Sequence, residues 1–308
     1  MILFGVTVIV PPIGMIIVNG PLLRFVFPWK YSVDYELPER VKSTIAEQYK
    51  KWLEHENRLE KDAHVKFGCM RDANYLETQS SGSMAVRFGA QIALPFFARF
   101  ASVEEARDYC KKHLEPLNYR GKFPLCILWE SSLGEELLST FVLSQKALDF
   151  LIARDLFAND GYNAFINRPI TWATWTAFAS VFTYWVHQRF TKGTFLLFAI
   201  LYTCFLIVTI VASKQWHYLY RHMNSCHSDE MSAKLSFEHS EGGKEYYTNL
   251  LKRNRILRNL LGKNADKYIS ILGDERDAIT PYFVRYELLK NIGIEDDELR
   301  PVLSGDVL

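Results

Sequence analysis

One run of 21 uncharged residues, from Gly193 to Ser213, constrains this chain more than any other feature. As an α-helix the run spans about 31 Å, which matches the hydrocarbon core of a bilayer. It also lacks the polar face that a surface helix of a soluble protein carries. We therefore predict a membrane span. The alternative is a helix buried in a large soluble protein, and the length and uniform apolarity of the run disfavour it.

A second apolar run precedes the first, from Pro169 to Val186, and contains 18 uncharged residues. Tryptophan and tyrosine lie near both of its ends, as they do at membrane interfaces. Only a six-residue link, from His187 to Lys192, separates the two runs. Because so short a link permits only a tight reversal, we predict an antiparallel transmembrane helical hairpin over residues 169–213.

The N-terminus holds a third uncharged run, from Met1 to Leu23, which Pro11 and Pro12 interrupt. Proline breaks or kinks a helix, so a kinked span is expected. A cleaved signal peptide is the alternative, but no basic region precedes the apolar stretch. We favour a retained N-terminal membrane segment over residues 1–27.

Residues 31–168 have mixed polar and apolar character and predict a small α+β domain. Apolar residues recur every four positions after Pro38, which indicates an amphipathic helix. Ser102 and Glu105 have the spacing of a capping box, and Ser144 is placed to cap a further helix. Short strands are predicted within Met84–Phe97, Phe123–Trp129 and Ser139–Leu143.

Residues 214–308 predict a polar C-terminal region of helices and short strands. The second span should continue out of the bilayer through Lys214 to Asn224. Gly242 and Gly243 are expected to introduce a helix that ends at Gly262. Two short strands are expected within Tyr268–Thr280. The predicted helix carries basic residues that rest on anionic lipid or form a solvated face, namely Lys252, Arg253, Arg255 and Arg258.

The predicted fold class is thus an α+β membrane protein, with a small mixed domain before the hairpin and a helical and short-strand region after it. Composition limits the classes of function that the chain can have. The chain has 36 Lys and Arg against 35 Asp and Glu, a net charge of +1, so no basic field favours nucleic acid. The five cysteines are widely spaced and none forms a C-x-x-C pair, which predicts free thiols.

The sequence offers little for catalysis. The H-E-x-x-H, G-x-S-x-G, Walker A and G-x-G-x-x-G motifs are all absent. The nearest approach to a metal set is formed by His217, His222, Cys226 and His227. His222 and Cys226 share a helical face, whereas His217 points about 140° away from His222. We therefore predict no catalytic, cofactor or metal site, and interpret these histidines as incidental to an interfacial helix end.

Three segments and their order around the hairpin resemble the transmembrane protein 177 family of mitochondrial membrane proteins. These segments are RFGAQIALPFFARF from Arg87, LSQKALDFLIARD from Leu143, and GGKEYYTNLLKRNRILRNLLGK from Gly242. The last is the most specific. The sequence departs from the family pattern over Met1–Lys30, where a basic stretch ahead of the first apolar run is missing.

The resemblance implies a non-enzymatic, multi-pass protein of the mitochondrial inner membrane. Such a protein would support early maturation of cytochrome c oxidase subunit II and associate with that subunit and its small membrane chaperone. A membrane-tethered enzyme of unrecognised type, with its site in the α+β domain, is the alternative. Small and hydroxylated residues of the first span can pack closely against helices of a partner or of the protein's own hairpin. They are Thr171, Ala173, Thr174, Thr176, Ala177, Ala179 and Ser180.

Overall fold

The computed structural model describes residues 2–59, 64–191 and 194–303. Its N-terminal apolar segment forms two helices, α1 (Ile2–Asn19) and α2 (Leu23–Tyr31). The predicted kink lies elsewhere than expected. Pro11 and Pro12 stay inside α1, and the chain instead turns by 76° between α1 and α2.

A four-stranded sheet and one long helix follow. Pro38 precedes α3 (Glu39–His55), as its position before the amphipathic repeat predicted. The strands are β1 (Val33–Asp34), β2 (Val65–Met70), β3 (Gln79–Gly82) and β4 (Ala90–Leu94). Their order is β1-β2-β4-β3, with β2 and β4 parallel and both edge pairs antiparallel. In register, Phe67 of β2 pairs with Ile92 of β4.

The strand predicted over Met84–Phe97 is shorter than expected. Only Ala90–Leu94 is extended, and Pro95 ends the strand and opens a 3-10 turn, Phe96–Arg99. Gly89 has a φ of +72° beside the carbonyl of His64, so turns occupy the residues just before the strand.

Serine caps organise the next segment. It comprises α4 (Val103–His113), β5 (Leu117–Tyr119), β6 (Phe123–Leu125), α5 (Ser132–Phe141) and α6 (Gln145–Ala158). The Oγ atoms of Ser102, Ser131 and Ser144 accept the N–H of the residue three positions on, at 3.1–3.3 Å. The capping predictions for Ser102 and Ser144 are confirmed.

Two strand predictions in this segment need correction. Ser139–Leu143 is not a strand, because Ser131 starts a helix that runs through Phe141. The expected strand Phe123–Trp129 is limited to Phe123–Leu125, which forms a two-stranded sheet with β5.

The long helices of the structure come next. Helix α7 (Asn163–Val186) begins six residues before Pro169 and continues through it, and a π-helical turn, His187–Thr191, follows. Residues 192 and 193 lie outside the described part of the chain. Helix α8 (Phe195–Lys234) has 40 residues and extends ten residues beyond Asn224.

The C-terminal region contains α9 (Phe237–Leu261), a 3-10 turn (Gly262–Lys267) and α10 (Tyr282–Leu303). Gly242 and Gly243 do not introduce α9; Ser236 caps it and both glycines lie inside. Gly262 is the C-cap, as predicted. The two strands expected within Tyr268–Thr280 reduce to a single bridge between Ile269 and Glu275.

The two polar regions that flank the apolar segment 169–213 in sequence share one hydrophobic core. It joins Trp52 of α3, Ile92 of β4, Phe150 of α6 and Tyr246 of α9. The glycines of α9 make this packing possible. A Cβ on Gly242 would lie 2.1 Å from the carbonyl oxygen of Lys146, so α6 and α9 are in backbone contact there.

Candidate functional site

Helices α1, α7 and α8 pack together into a bundle, and Tyr202 of α8 lies at its centre. Its side chain is 2% exposed. The Tyr202 hydroxyl bonds to Thr7 of α1, and lies 3.2 Å from the hydroxyl of Ser180 in α7. Trp172 Nε1 donates to the Thr7 carbonyl oxygen at 3.1 Å. Polar contacts therefore tie all three apolar helices together.

The hydroxyl groups of α7 bond to the helix's own backbone. The side chains of Thr171, Thr176, Ser180 and Thr183 each donate to the carbonyl oxygen four residues earlier, at 2.6–2.7 Å. Such bonds satisfy hydroxyl groups without water. Helix α7 can thus carry many hydroxylated residues in an apolar setting.

The surface predicted to contact a partner is partly used within the protein. Thr171, Thr176, Ala179 and Ser180 are buried inside the bundle. Ala173 and Ala177 are half-buried, and Thr174 is exposed. The close-packing residues therefore serve the protein's own helices. The outward stripe of α7 consists instead of Thr174, Phe178, Val181 and Trp185.

The outer surface of the bundle is apolar. Large exposed side chains are Val6, Ile9 and Val10 on α1, Phe178 and Val181 on α7, and Leu196, Ile200, Val208 and Val211 on α8. Within the described residues, α8 is the one helix long and apolar enough to cross a bilayer by itself. The bent pair α1 and α2 passes the same test only when taken together.

A buried charge network holds the far half of α8 within the polar domain, the unit that the two polar regions form around their shared core. Asp229 of α8 is fully buried and accepts two hydrogen bonds from Arg285 of α10. It also accepts one from the hydroxyl of Tyr247 in α9, at 2.7 Å. Burial raises the pKa of Tyr247 well above its ordinary range, so this hydroxyl stays a donor. The network anchors α8 to the two helices that follow it.

A second buried pair extends this network into α6. Arg154 donates to Asp155 from Nη2 at 2.6 Å and to the Tyr247 hydroxyl at 3.5 Å. Burial raises the pKa of Asp155, whereas the neighbouring Arg154 opposes that rise. Both side chains are enclosed and paired with each other, which is the arrangement of a structural network.

The predicted basic face of α9 is partly buried within the fold, although Lys252 and Arg255 are exposed. Arg253 is fully buried, bonds to the Leu76 carbonyl oxygen and lies over the ring of Phe97. Arg258 bonds to Asp266, and Arg255 donates to the carbonyl of Leu272. Lys252 pairs with Glu136 at 3.4 Å. All four cations thus have partners within the fold.

An open cavity of about 800 Å³ lies beside α2, between the sheet and α4. Arg99, Arg71 and Asp34 line it; Asp34 lies 3.8 Å from Arg99 and 3.7 Å from Arg71. Pro28 and Trp29 of α2 and Tyr109 and His113 of α4 also line it. Sequence reasoning missed this cavity because its lining comes from four separate segments without a shared motif.

The four residues weighed as metal ligands do not assemble into a site. His222 Nδ1 lies 2.9 Å from the hydroxyl of Thr280, in the loop before α10. Among the described residues, no group of three or more His, Cys, Asp or Glu side chains is arranged to hold a metal ion. The imidazole of His222 thus has a hydrogen-bond partner inside the protein, the hydroxyl of Thr280.

The comparison with known families bears on the whole of this architecture. The sequence model described as "Transmembrane protein 177" matches residues 1–307. The chain belongs to the transmembrane protein 177 family. The match begins at residue 1, so it includes the N-terminal apolar segment where we expected a departure from the family.

One relative of the chain is an uncharacterized protein of Caenorhabditis elegans. It is 42% identical over 308 residues, which cover 99% of this chain and 92% of that protein. No solved structure gives a significant match. The three segments on which the family resemblance rested form β4 with its 3-10 turn, α6, and α9. They meet in the shared core.

Proposed function

We propose that this chain is a non-enzymatic factor of the mitochondrial inner membrane that supports early maturation of cytochrome c oxidase subunit II. In this proposal it stabilises the newly made subunit together with the subunit's small membrane chaperone. The observation that carries it is membership of the transmembrane protein 177 family over residues 1–307. A membrane-embedded bundle with an apolar outer surface is the kind of structure that can hold a membrane-inserted client.

The proposed topology places α1, α7 and α8 in the bilayer, with α7 and α8 as an antiparallel hairpin. Contacts between α7 and α8 support it. The rings of Phe182 and Phe205 make an edge-to-face contact, with 5.1 Å between their centroids. Farther from the turn, the hydroxyl of Thr209 lies 3.5 Å from the carbonyl oxygen of Trp175. The apolar outer surface of the bundle would then face lipid acyl chains or partner helices.

We place the client-binding surface on the outward stripe of α7, because the inward residues already pack against α1 and α8. Phe178 and Val181 are 62% and 70% exposed and lie on one side of the helix. Thr174 adds a hydroxyl at the same side. Apolar contacts with a small polar residue suit helix association in a membrane.

The test is a mild-detergent pull-down of the tagged protein from isolated mitochondria, followed by mass spectrometry. Newly made cytochrome c oxidase subunit II and its chaperone should be enriched. A Phe178→Ala/Val181→Ala variant should lose them. The matched control is Ile207→Ala/Val208→Ala, which truncates two comparably exposed residues of α8.

Each outcome is informative. Equal loss in both variants would refute the α7 surface while keeping the function. If the wild-type protein is absent from mitochondria or enriches neither partner, the assembly-factor proposal fails. The alternative is then a membrane-tethered enzyme whose site lies at the cavity beside α2.

A further inference from the structure

The nine-residue helix α2 has two faces of different character. Leu23 and Phe27 point inward and pack in a small cluster with Val33, Met70 and Ala93. Phe25 and Trp29 point outward and are 61% and 85% exposed. Leu22, just before the helix, is also exposed. A stripe at positions 22, 25 and 29 follows one side of a helix, so the outward apolar side chains form one continuous surface.

The direction of α2 matters as much as its composition. It turns from α1 by 76°. Gly20 allows this close turn, since a Cβ there would lie 2.9 Å from the Ile16 carbonyl oxygen and 3.1 Å from the Phe88 ring. If α1 runs across the bilayer, α2 must therefore run close to the plane of the membrane surface.

Cations flank the outward stripe. Arg24 and Lys30 are exposed, and the sequence of α2, LRFVFPWKY, has no acidic residue. The Arg24 guanidinium lies 4.6 Å from the Phe25 ring centroid, and Lys30 Nζ lies 4.7 Å from that of Tyr31. Aromatic side chains beside basic ones are typical of helices that lie in the headgroup region of a bilayer.

The apolar surface of α2 is continuous with that of the bundle. The last turns of α1 expose Ile13, Ile16, Ile17 and Val18, and these lead directly to Leu22. The same medium that covers α1 therefore reaches α2.

We infer that α2 is an interfacial helix that docks the polar domain onto an anionic bilayer surface. Phe25 and Trp29 enter the boundary between headgroups and acyl chains, while Arg24 and Lys30 contact lipid phosphates. This inference rests on the proposed membrane topology and is independent of the proposed client.

The experiment measures tryptophan fluorescence of the full chain in nanodiscs that contain phosphatidylcholine and phosphatidylglycerol. The phosphatidylcholine is brominated either near the top of the acyl chain or near its end. The wild-type signal minus that of Trp29→Phe isolates Trp29. It should be quenched more strongly by bromine near the top of the chain. Trp129→Phe provides the control for a core position, because Trp129 is 3% exposed.

A third variant separates this inference from the topology on which it rests. The variant is Trp185→Phe, because Trp185 lies on the bundle surface and is 54% exposed. The wild-type signal minus that of Trp185→Phe should be quenched by brominated lipid if α7 lies in the membrane. If Trp185 is quenched and Trp29 is not, the interfacial assignment of α2 is wrong, and a second copy or a protein partner covers that stripe. If neither is quenched, the topology itself fails.

The contribution of the two cations, Arg24 and Lys30, is measured separately by changing the lipid charge. Replacing phosphatidylglycerol by phosphatidylcholine should reduce quenching of Trp29 in the wild-type protein. An Arg24→Gln/Lys30→Gln variant should lose that lipid dependence, since the phosphate contacts are gone. Lipid dependence that persists in the double variant would overturn the role assigned to the two cations.

Discussion

Arg285 donates two hydrogen bonds to Asp229, from Nε to Oδ2 at 2.6 Å and from Nη2 to Oδ1 at 2.7 Å. Asp229 is fully buried, and the pair joins α10 to the distal half of α8. Burial by itself lowers the pKa of an arginine, but the Asp229 carboxylate raises the pKa of Arg285 above its ordinary range. Arg285 therefore stays charged within the core.

Removing one partner of this pair should be costly. We expect Asp229→Ala to lower the free energy of unfolding by about 3–5 kcal/mol, because it leaves Arg285 buried without its counter-charge. The measurement is thermal unfolding in detergent. Glu54→Ala is the control, since the Lys50–Glu54 pair is exposed and should contribute less than about 1 kcal/mol. Equal effects of the two variants would contradict the structural role of the network.

Close contact between α6 and α9 gives a second prediction. Gly242→Ala should destabilise the protein by about 1–3 kcal/mol, because the new methyl group meets the backbone of Lys146. Gly14→Ala is the matched helical control, as nothing lies within 4 Å of its added Cβ. Unfolding curves of both variants in the same detergent provide the comparison. A Gly242→Ala protein as stable as the control would show that the two helices are farther apart.

The sequence predicts these features unevenly. Local signals succeeded, since a serine cap needs only the N–H three residues on, as at Ser102 and Ser144. The strand predicted at Ser139–Leu143 failed because a short window of β-formers cannot reveal that Ser131 has already started a helix. Arg253 was expected on a basic surface, and only tertiary packing brings it to Phe97 and the Leu76 carbonyl.

Protonation of His239 gives a third prediction. Its imidazole lies between Ser236 and Gln48, at 2.7 and 2.9 Å, and burial lowers its pKa to about 4, with Lys51 contributing. In the unfolded chain the pKa of this histidine is about 6.5, which is above its pKa in the folded protein. The contribution of neutral His239 to the free energy of unfolding is therefore fully present above about pH 6.5 and is lost as the pH falls toward about 4.

The measurable consequence is a difference in pH dependence. Between about pH 7 and pH 4, wild type should lose roughly 3 kcal/mol more stability than His239→Gln, at about 1.4 kcal/mol per pKa unit. Melting temperatures across that range provide the comparison. His55→Gln, at an exposed position, controls for the loss of a histidine as such. Parallel curves for wild type and His239→Gln would refute this assignment.

Thiol labelling gives a fourth prediction. Cys69 and Cys110 are buried, and burial raises the pKa of each thiol to about 12, so neither should react in the folded protein. Cys126 is exposed in the polar domain. A water-soluble maleimide added to freeze–thawed membranes should therefore modify Cys126, as mass spectrometry of the intact protein will show.

Cys204 distinguishes a lipid-facing surface from a water-facing one. It is exposed on the membrane half of α8, yet lipid should shield it from the reagent until the protein is denatured. Cys204→Ser and Cys126→Ser variants assign each mass increment. Rapid modification of Cys204 in intact membranes would argue against the proposed span.

Helix α8 has no break between the bundle residue Tyr202 and the buried Asp229. Its 40 residues form a rod about 60 Å long. A rod fixed at both ends transmits rotation, so a tilt of about 10° in the bundle displaces its far end by about 10 Å. The orientation of the bundle and that of the polar domain are therefore mechanically coupled through α8.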